Sequence, residues 1–347
     1  MDDSLPTSPP PPPPPPKPQD ATSFFDTPGT GAHGVGPVMI QDLGPAPQIG
    51  PDGQVSVNPD SVVSVRGLTK TYGSLRALND LNLDVPKGSI YGIIGPNGAG
   101  KSTTFGILAT LLKPTSGVAR VCGADPVKQP RDVRKKLGYM PDVMGVYESL
   151  SVGEYIEFHA AAYKIPRNEW SLLVEGLLEL VDLDVKRDAM VDSLSRGMKQ
   201  RLSLARAMVH DPDLLILDEP ASGLDPRARV ELRQLLSELQ RLGKTILISS
   251  HILAELQQIC TDIAVIEAGR LLASGSPDEL ISNLGAGRRA TVKFLDGTAA
   301  EYPVADEAAQ AQLLRKLVSD GADIVEFSVE TADFEDLFMQ ITQGIVQ

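Results

Sequence analysis

The sequence contains little of what secreted, metal-binding or nucleic-acid-binding proteins need. It has only two cysteines, Cys122 and Cys260, which lie far apart in apolar neighbourhoods, so we interpret them as buried thiols in a reducing cytosol. Neither cysteine has a metal-ligand spacing, and the four histidines do not cluster along the chain. The net charge of −13 leaves no basic surplus to neutralise phosphates, so we expect no nucleic acid partner.

Long apolar segments are also missing from the 347 residues. No run approaches the roughly 18 apolar residues that a membrane-spanning helix needs. The first residues, Met1 to Ser4, lack the basic and apolar regions of a secretory signal peptide. We therefore expect a soluble, cytoplasmic chain, which in a membrane process must bind a separate membrane-spanning protein.

Residues 1–61 differ in composition from the rest of the chain. Eight consecutive prolines, Pro9 to Pro16, precede a stretch rich in glycine, proline and aspartate. Such a sequence cannot bury enough apolar surface to offset the entropy lost on ordering, so we predict a disordered tail. A role for the proline run as the ligand of a proline-recognising domain is the alternative.

Residues 62–284 have the pattern of an α/β domain. Two alternating segments, Val62–Val65 and Leu81–Val85, predict half-buried strands. Three short apolar runs predict buried strands, at Ile90–Ile94, Leu214–Leu217 and Thr245–Ser249. Because helical periods separate these runs, we predict a mostly parallel sheet flanked by helices.

Two further segments have patterns of their own. Between about residues 150 and 212 the chain is predicted to be helical, with a capping box at Ser151 and Glu154 and an apolar helix face running from Leu172 to Leu180. Residues 285–347 predict a small α+β appendage. We expect it to contain, in order, a strand at Ala290–Leu295, a turn at Asp296-Gly297, a helix around Leu313–Val318, a strand near Ile324–Val329 and a final helix from Phe334.

A phosphate-binding motif follows the first buried strand. Its residues fit the pattern G-x-x-x-x-G-K-[ST], and a helix is predicted after it from Thr103 to Leu112. Backbone N–H groups of such a loop close around a β-phosphate, and the positive end of the helix assists them. We expect Lys101 to bridge the β- and γ-phosphates and Ser102 to ligate Mg²⁺. The predicted nucleotide-binding residues of this loop are Gly95, Pro96, Asn97, Gly98, Ala99, Gly100, Lys101, Ser102 and Thr103.

A chance origin of this motif is the alternative. Given ordinary glycine usage, its fixed positions would match by accident in about one chain of this length in a hundred. The strand–loop–helix context makes an accidental match rarer still, so we predict a nucleotide site.

Two acidic residues end the apolar run at 214–217. Asp218 is expected to hold the metal, and Glu219 to accept a proton from the attacking water. A purely structural pair is the alternative, but carboxylates at the end of an apolar strand are costly without a cation. The chain contains no Asn-Lys-x-Asp element to recognise guanine, so we predict ATP rather than GTP as the nucleotide.

Residues 62–284, about two-thirds of the chain, resemble an ABC ATPase cassette, a member of the P-loop NTPases. The resemblance rests on the motifs above and on four more in the family's order. They are Tyr72 in Lys70-Thr71-Tyr72-Gly73, the signature Leu194-Ser195-Arg196-Gly197-Met198-Lys199-Gln200-Arg201, the D-loop Ala221-Ser222-Gly223-Leu224-Asp225, and His251 after Ser249-Ser250. The family's fold has a mostly parallel sheet core, an antiparallel β subdomain and a helical subdomain.

The resemblance also implies roles and a second cassette. Tyr72 would stack on adenine, and His251 would contact the γ-phosphate as a catalytic residue. Ser195 and Gly197 would bind the γ-phosphate of ATP held by the opposite cassette, so the family's head-to-tail dimer is expected, here as a homodimer. Asp225 would communicate across the dimer interface.

Two departures from the family pattern concern the site. The signature reads Leu-Ser-Arg-Gly-Met instead of the common Leu-Ser-Gly-Gly-Gln, but Ser195 and Gly197 are retained. Asp142 stands where the family has a glutamine that contacts Mg²⁺ and the attacking water. We expect Asp142 to alter the metal dependence while hydrolysis is retained.

The segment from Phe334 to Thr342 resembles the end of ABC-2-type cassettes, which commonly serve exporters. The expected function is therefore ATP hydrolysis that powers translocation through a separate transmembrane permease, with the chain at the inner face of the cell membrane. A soluble ABC ATPase acting on nucleic acid or ribosomes is the alternative, although such proteins usually carry two cassettes or a coiled-coil insertion. An ATP sensor without hydrolysis is opposed by Glu219 and His251.

Overall fold

A six-stranded sheet forms the centre of the described structure. The computed structural model describes residues 60–143, 145, 147, 149–283, 288–304 and 307–330. The strands are β3 (Ile90–Ile94), β5 (Leu137–Met140), β6 (Leu214–Leu217), β7 (Thr245–Ser250), β8 (Asp262–Glu267) and β9 (Arg270–Gly275), in the order β5-β6-β7-β3-β8-β9. All neighbours are parallel except β8 and β9. The three predicted buried strands are confirmed. One face of the sheet packs against helices, and the other packs against an antiparallel sheet and the helix after the phosphate motif, so apolar residues are needed on both faces.

A second, antiparallel sheet contains β1 (Ser61–Tyr72), β2 (Leu75–Pro86) and β4 (Ser116–Val121), in the order β2-β1-β4. The predicted strands at 62–65 and 81–85 are confirmed, but both continue well beyond the alternating segments. The continuation of β1 contains several register shifts against β2, which break the strict two-residue period that the prediction used.

Nine helices lie in the described residues. They are α1 (Lys101–Leu108), α2 (Pro130–Lys136), α3 (Val152–Ala162), α4 (Trp170–Leu180), α5 (Arg196–Met208), α6 (Pro226–Arg241), α7 (Leu253–Ile259), α8 (Pro277–Asn283) and α9 (Glu307–Ser319). Short 3₁₀ turns occur at Arg167–Glu169, Asp184–Lys186 and Val191–Ser193. Within the described part of the chain, no helix combines the length and apolarity that crossing a bilayer requires.

The helix after the phosphate motif has different ends from those predicted. We expected Thr103 to Leu112, but α1 starts two residues earlier and stops at Leu108. Thr110 takes a left-handed conformation with φ 65°, which turns the chain away from the helix axis. The N–H groups of Leu111 and Leu112 then both donate to the Gly106 carbonyl.

The helical region between α3 and α5 packs against the edge of the central sheet. The capping box is confirmed, since Ser151 and Glu154 each accept the other's backbone N–H. Strand β5 touches the end of α5 without intervening side chains, because a Cβ on Gly138 would lie 2.3 Å from the Ala207 carbonyl oxygen. The Arg206 guanidinium also donates to the Tyr139 carbonyl over 2.9 Å.

The C-terminal segment forms a small α+β unit. Its sheet contains β10 (Arg288–Phe294), β11 (Ala299–Val304) and β12 (Ile324–Glu330), in the order β11-β10-β12, and α9 connects β11 to β12. The predicted strand–turn–helix–strand order is confirmed, and β11 is an additional strand that we did not predict. The expected final helix from Phe334, and residues 1–59 of the expected disordered tail, lie outside the described residues.

Candidate nucleotide site

The predicted site residues meet at the carboxyl edge of the parallel strands. The phosphate loop follows β3, Asp218 follows β6 and His251 follows β7. Ligands of open α/β sheets bind at this edge. A cavity of about 430 Å³ opens there, and the loop from Pro96 to Thr103 lines it. Tyr72, Asp142, Glu219 and His251 line the same cavity.

The glycines of the phosphate loop serve two different purposes. A Cβ on Gly95 would lie 2.1 Å from the Ile266 carbonyl oxygen, so this glycine permits close packing of the loop against β8. Gly98 has φ 84°, and an added Cβ would meet no atom within 4 Å. The loop therefore presents its backbone to open space, as a cradle for a phosphate requires.

Lys101 is the buried cation of the site. Its side chain is only 7% exposed, and its Nζ donates to the Gly95 carbonyl over 2.6 Å. The same Nζ lies 3.8 Å from Oε1 of Glu219. Burial lowers the pKa of Lys101, and the carboxylates of Glu219 and Asp218 oppose that change. A partly desolvated cation beside an open backbone cradle suits the binding of a phosphate.

Asp218 is a buried carboxyl held by two hydroxyl groups. It is 3% exposed, and its burial raises its pKa. Hydrogen bonds from Ser249, over 2.7 Å, and from Ser102 oppose that shift. Carboxylate and hydroxyl oxygens are the donors that Mg²⁺ prefers, so this pair fits the predicted metal.

Glu219 has an unusual backbone. Its φ of 51° lies in the left-handed region, which costs a residue with a Cβ about 1 kcal/mol. The Glu219 N–H donates to Oγ of Ser249 over 2.9 Å. Its carboxylate Oε2 lies 2.7 Å from Nδ1 of His251 and accepts the His251 backbone N–H over 3.3 Å. A carboxylate so oriented in a cavity can accept a proton from a bound water.

The rim of the cavity includes the predicted Tyr72 and other residues that sequence reasoning missed. Tyr72 is 45% exposed, as a ring that stacks on a base must be, and Nζ of Lys70 lies 4.9 Å from its centroid. Leu75, Ala77 and Ser222 line the cavity as well, and no motif singled out the first two. Ser249 also went unassigned, although a serine ending an apolar strand beside the predicted site was a usable signal.

The signature residues lie elsewhere. Ser195 is the N-cap of α5, and its hydroxyl accepts the Met198 N–H over 3.3 Å. Neither Ser195 nor Gly197 is among the described residues that line the 430 Å³ cavity. The signature instead contacts the D-loop of its own chain, since Nε2 of Gln200 donates to the Ser222 carbonyl over 3.0 Å.

A second D-loop contact involves the unusual arginine of the signature. The Arg196 guanidinium lies 2.5 Å from where a Cβ on Gly223 would stand. Asp225 caps α6 by accepting the Ala228 N–H over 2.9 Å. The start of α5 and the D-loop are therefore joined within one chain.

Comparisons with known proteins agree with this geometry. Residues 78–222 match the family model described as ABC transporter. The chain is 40% identical over 235 residues to the daunorubicin/doxorubicin resistance ATP-binding protein DrrA of Streptomyces peucetius, covering 67% of this chain and 70% of that protein. It is also 40% identical over 221 residues to the Nod factor export ATP-binding protein I of Burkholderia orbicola, covering 64% of this chain and 73% of that protein.

A solved structure of the ATP-binding subunit of an ABC transporter has the same fold. It superposes with a TM-score of 0.60 at 31% identity, covering 65% of this chain and 94% of that one. The predicted fold class is thereby confirmed, as is the resemblance inferred from the motifs. The chain belongs to the ABC transporter family, as one of its ATP-binding, ATP-hydrolysing proteins.

Proposed function

We propose that the chain is the motor subunit of an exporter and hydrolyses ATP to drive translocation through a separate membrane-spanning partner. The observation that carries the proposal is the meeting of Lys101, Asp218, Glu219 and His251 at one edge of the sheet, around the cavity lined by the phosphate loop. Export is supported by the relatives, one of which is named for Nod factor export. Within the chain, we assign this activity to residues 62–284, and we assign an accessory role to residues 285–347.

Binding of ATP follows from the shape of the cavity. The loop from Gly95 to Thr103 would surround the phosphates, with Lys101 on the β- and γ-phosphates and the exposed Tyr72 ring stacked on adenine. Ser102, Asp218 and Asp142 would hold Mg²⁺, which supplies charge neutralisation on the β- and γ-phosphate oxygens.

Hydrolysis would depend on Glu219 as general base. Its carboxylate would accept a proton from a water whose oxygen bonds to the γ-phosphorus, while the bond from that phosphorus to the ADP oxygen breaks. His251, 2.7 Å from the carboxylate, would fix its orientation and contact the γ-phosphate. Asp218 would take no part in the proton transfer. Its carboxylate, hydrogen-bonded to Ser102, would supply an oxygen ligand to the metal.

A second copy of the chain would complete each site. Because Ser195 and Gly197 lie away from the cavity of their own chain, they are available to the nucleotide of a partner. In a head-to-tail dimer around two ATP molecules, each ATP would contact the phosphate loop of one chain and the signature residues of the other. The membrane-spanning partner would bind this dimer at the inner face of the membrane.

The decisive experiment compares Glu219→Gln with the exposed control Glu175→Gln. We expect the first change to reduce steady-state ATP turnover by roughly 100-fold or more and to preserve ATP binding, since general-base catalysis contributes ~10²–10⁴-fold. The control should turn over normally. Undiminished turnover in Glu219→Gln would remove Glu219 from its assigned role.

The same variant identifies the partner. Tagged Glu219→Gln protein, isolated with ATP from detergent-solubilised membranes, should bring down a multi-spanning membrane protein in stoichiometric amount. Recovery of ribosomal or DNA-associated proteins in its place would overturn the transporter assignment.

A further inference from the structure

Ser249 has a central position that the proposed mechanism does not use. It lies near the end of β7, which runs between the strand that leads to the phosphate loop and the strand that leads to Asp218. The residue has 0% exposure, so its hydroxyl reaches neither solvent nor the cavity surface. Ser249 therefore has no route to direct contact with ATP.

The Ser249 hydroxyl forms two hydrogen bonds with consecutive residues. Oγ donates its proton to Oδ1 of Asp218 over 2.7 Å and accepts the backbone N–H of Glu219 over 2.9 Å. Because the single hydroxyl proton goes to Asp218, a lone pair remains for the Glu219 amide. One rotamer of the Ser249 side chain therefore makes both hydrogen bonds at the same time.

These bonds act at a residue whose backbone is in the unfavourable left-handed region. Glu219 has φ 51°, and the residue lines the cavity. The N–H of Ser222 donates to the Glu219 carbonyl over 3.0 Å and closes the following turn. The amide on the other side of the strained residue is anchored by Ser249, so the conformation is fixed at both ends.

The end of β7 also holds the Glu219 side chain. His251, two residues after Ser249, contacts Oε2 of Glu219 through Nδ1 and through its backbone N–H. One short segment thus orients the backbone of Glu219 through Ser249 and the carboxylate through His251.

We propose that Ser249 is a positioning residue for ATP hydrolysis, whose hydroxyl fixes the metal-binding carboxylate of Asp218 and the strained backbone of Glu219 in one arrangement. The inference rests on the proposed function, since it acts through Glu219. Removal of the hydroxyl is expected to misorient the base and to spare the phosphate loop, so the rate of hydrolysis changes more than ATP binding does.

If the Ser249 hydroxyl only stabilised the fold, its removal would lower the melting temperature without a specific loss of kcat. The chain offers a matched control for that case. Thr245 lies at the opposite end of β7, is 1% exposed, and accepts the Gly88 N–H over 2.9 Å with its hydroxyl. Thr245→Val removes a buried hydroxyl from the same strand, far from the cavity. It reports the general cost of losing such a hydrogen bond.

The test compares Ser249→Thr with Ser249→Val in the full chain. These side chains have the same shape and both suit a strand, so they differ in the hydroxyl alone. We expect Ser249→Val to lower kcat by roughly 10- to 100-fold, as misplacement of a catalytic group does, with the KM for ATP within about 3-fold of the unmodified chain. Ser249→Thr should restore kcat to within about 3-fold, and Thr245→Val should lower the melting temperature without changing kcat.

Several results would overturn the inference. Equal kcat in the Thr and Val variants would mean that the hydroxyl has no positioning role, and so would equal losses of kcat in Ser249→Val and Thr245→Val. Ser249→Ala, which adds no volume, answers the same question if valine prevents folding. Failure of the proposed function is recognised separately, because Glu219→Gln would then retain turnover whatever the Ser249 variants do.

Discussion

Two helix N-termini in this molecule carry the residues expected to bind phosphate, and they differ in what surrounds them. The N-cap of helix α1 is Gly100, which has no side chain to cap the helix, and it lies beside the cavity that Lys101 and Glu219 also line. The N-cap of helix α5 is Ser195, which is exposed and whose hydroxyl caps the helix by accepting the Met198 N–H. The first N-terminus leaves its N–H groups for a ligand beside side chains of its own chain that line the same cavity, whereas the second offers a hydroxyl and backbone groups of residues that are not among the described lining of that cavity.

The largest effect should come from removing the cation beside α1. We expect Lys101→Ala to weaken ATP binding and to reduce turnover by roughly 100-fold or more, because a buried charge-assisted donor to the phosphates is lost. Equilibrium nucleotide binding and steady-state ATPase assays measure both. Lys128→Ala, which removes an exposed lysine, should have no effect on either. Tight ATP binding by Lys101→Ala would show that α1 needs no side-chain cation.

A smaller effect is expected at α5, and it tests whether two chains share each site. Ser195→Ala should leave ATP binding to the isolated chain unchanged and should reduce turnover by roughly 10-fold, since one phosphate contact from the partner is lost. Mixing Ser195→Ala with Lys101→Ala chains then creates mixed dimers. In a head-to-tail dimer, one of their two sites combines an intact Lys101 with an intact Ser195.

Random exchange makes about half of the dimers mixed, so we expect turnover to recover to about a quarter of that of the unmodified protein. Differently tagged chains establish that mixed dimers have formed. If they form and turnover stays at the level of the separate variants, the two N-termini do not belong to one shared site.

The smallest effect is expected at the rim of the α1 site. Asp142 lines the cavity but is exposed, so it is less constrained than the buried Asp218. Asp142→Gln should shift the Mg²⁺ concentration for half-maximal activity several-fold and should change kcat by no more than about 3-fold. A Mg²⁺ titration of ATPase activity measures this. The proposed metal role of Asp142 must be abandoned if the titration curve and turnover are both unchanged.

The sequence predicted those parts of the site that depend on neighbours along the chain. The phosphate loop, the Asp218–Glu219 pair and the signature around Ser195 each occupy consecutive positions, so their motifs contain the structural information. Ser249 was not assigned, because its contacts with Asp218 and Glu219 depend on β7 lying beside β6 in the sheet. Strand order is a property of the whole fold and leaves no local pattern.

The errors in the fold have a similar origin. The end of α1 was predicted too late, since apolar residues continue to Leu112 while the left-handed conformation of Thr110 ends the helix. The strands of the antiparallel sheet were predicted too short, since register shifts interrupt the alternation that identifies a strand. Hydrophobic periods locate elements well, but backbone irregularities determine where those elements end.

The contact between Gly138 and the Ala207 carbonyl gives α5 the geometry of a lever. The fulcrum lies near the C-terminal end of the helix, and Ser195 lies 12 residues away, a distance of about 18 Å along the helix axis. A rotation of about 5° at the fulcrum moves Ser195 by roughly 1.5 Å, which is enough to make or break a hydrogen bond. This backbone contact lies on the strand that leads to Asp142, so a small angular change beside the cavity would be magnified at the far end of the helix.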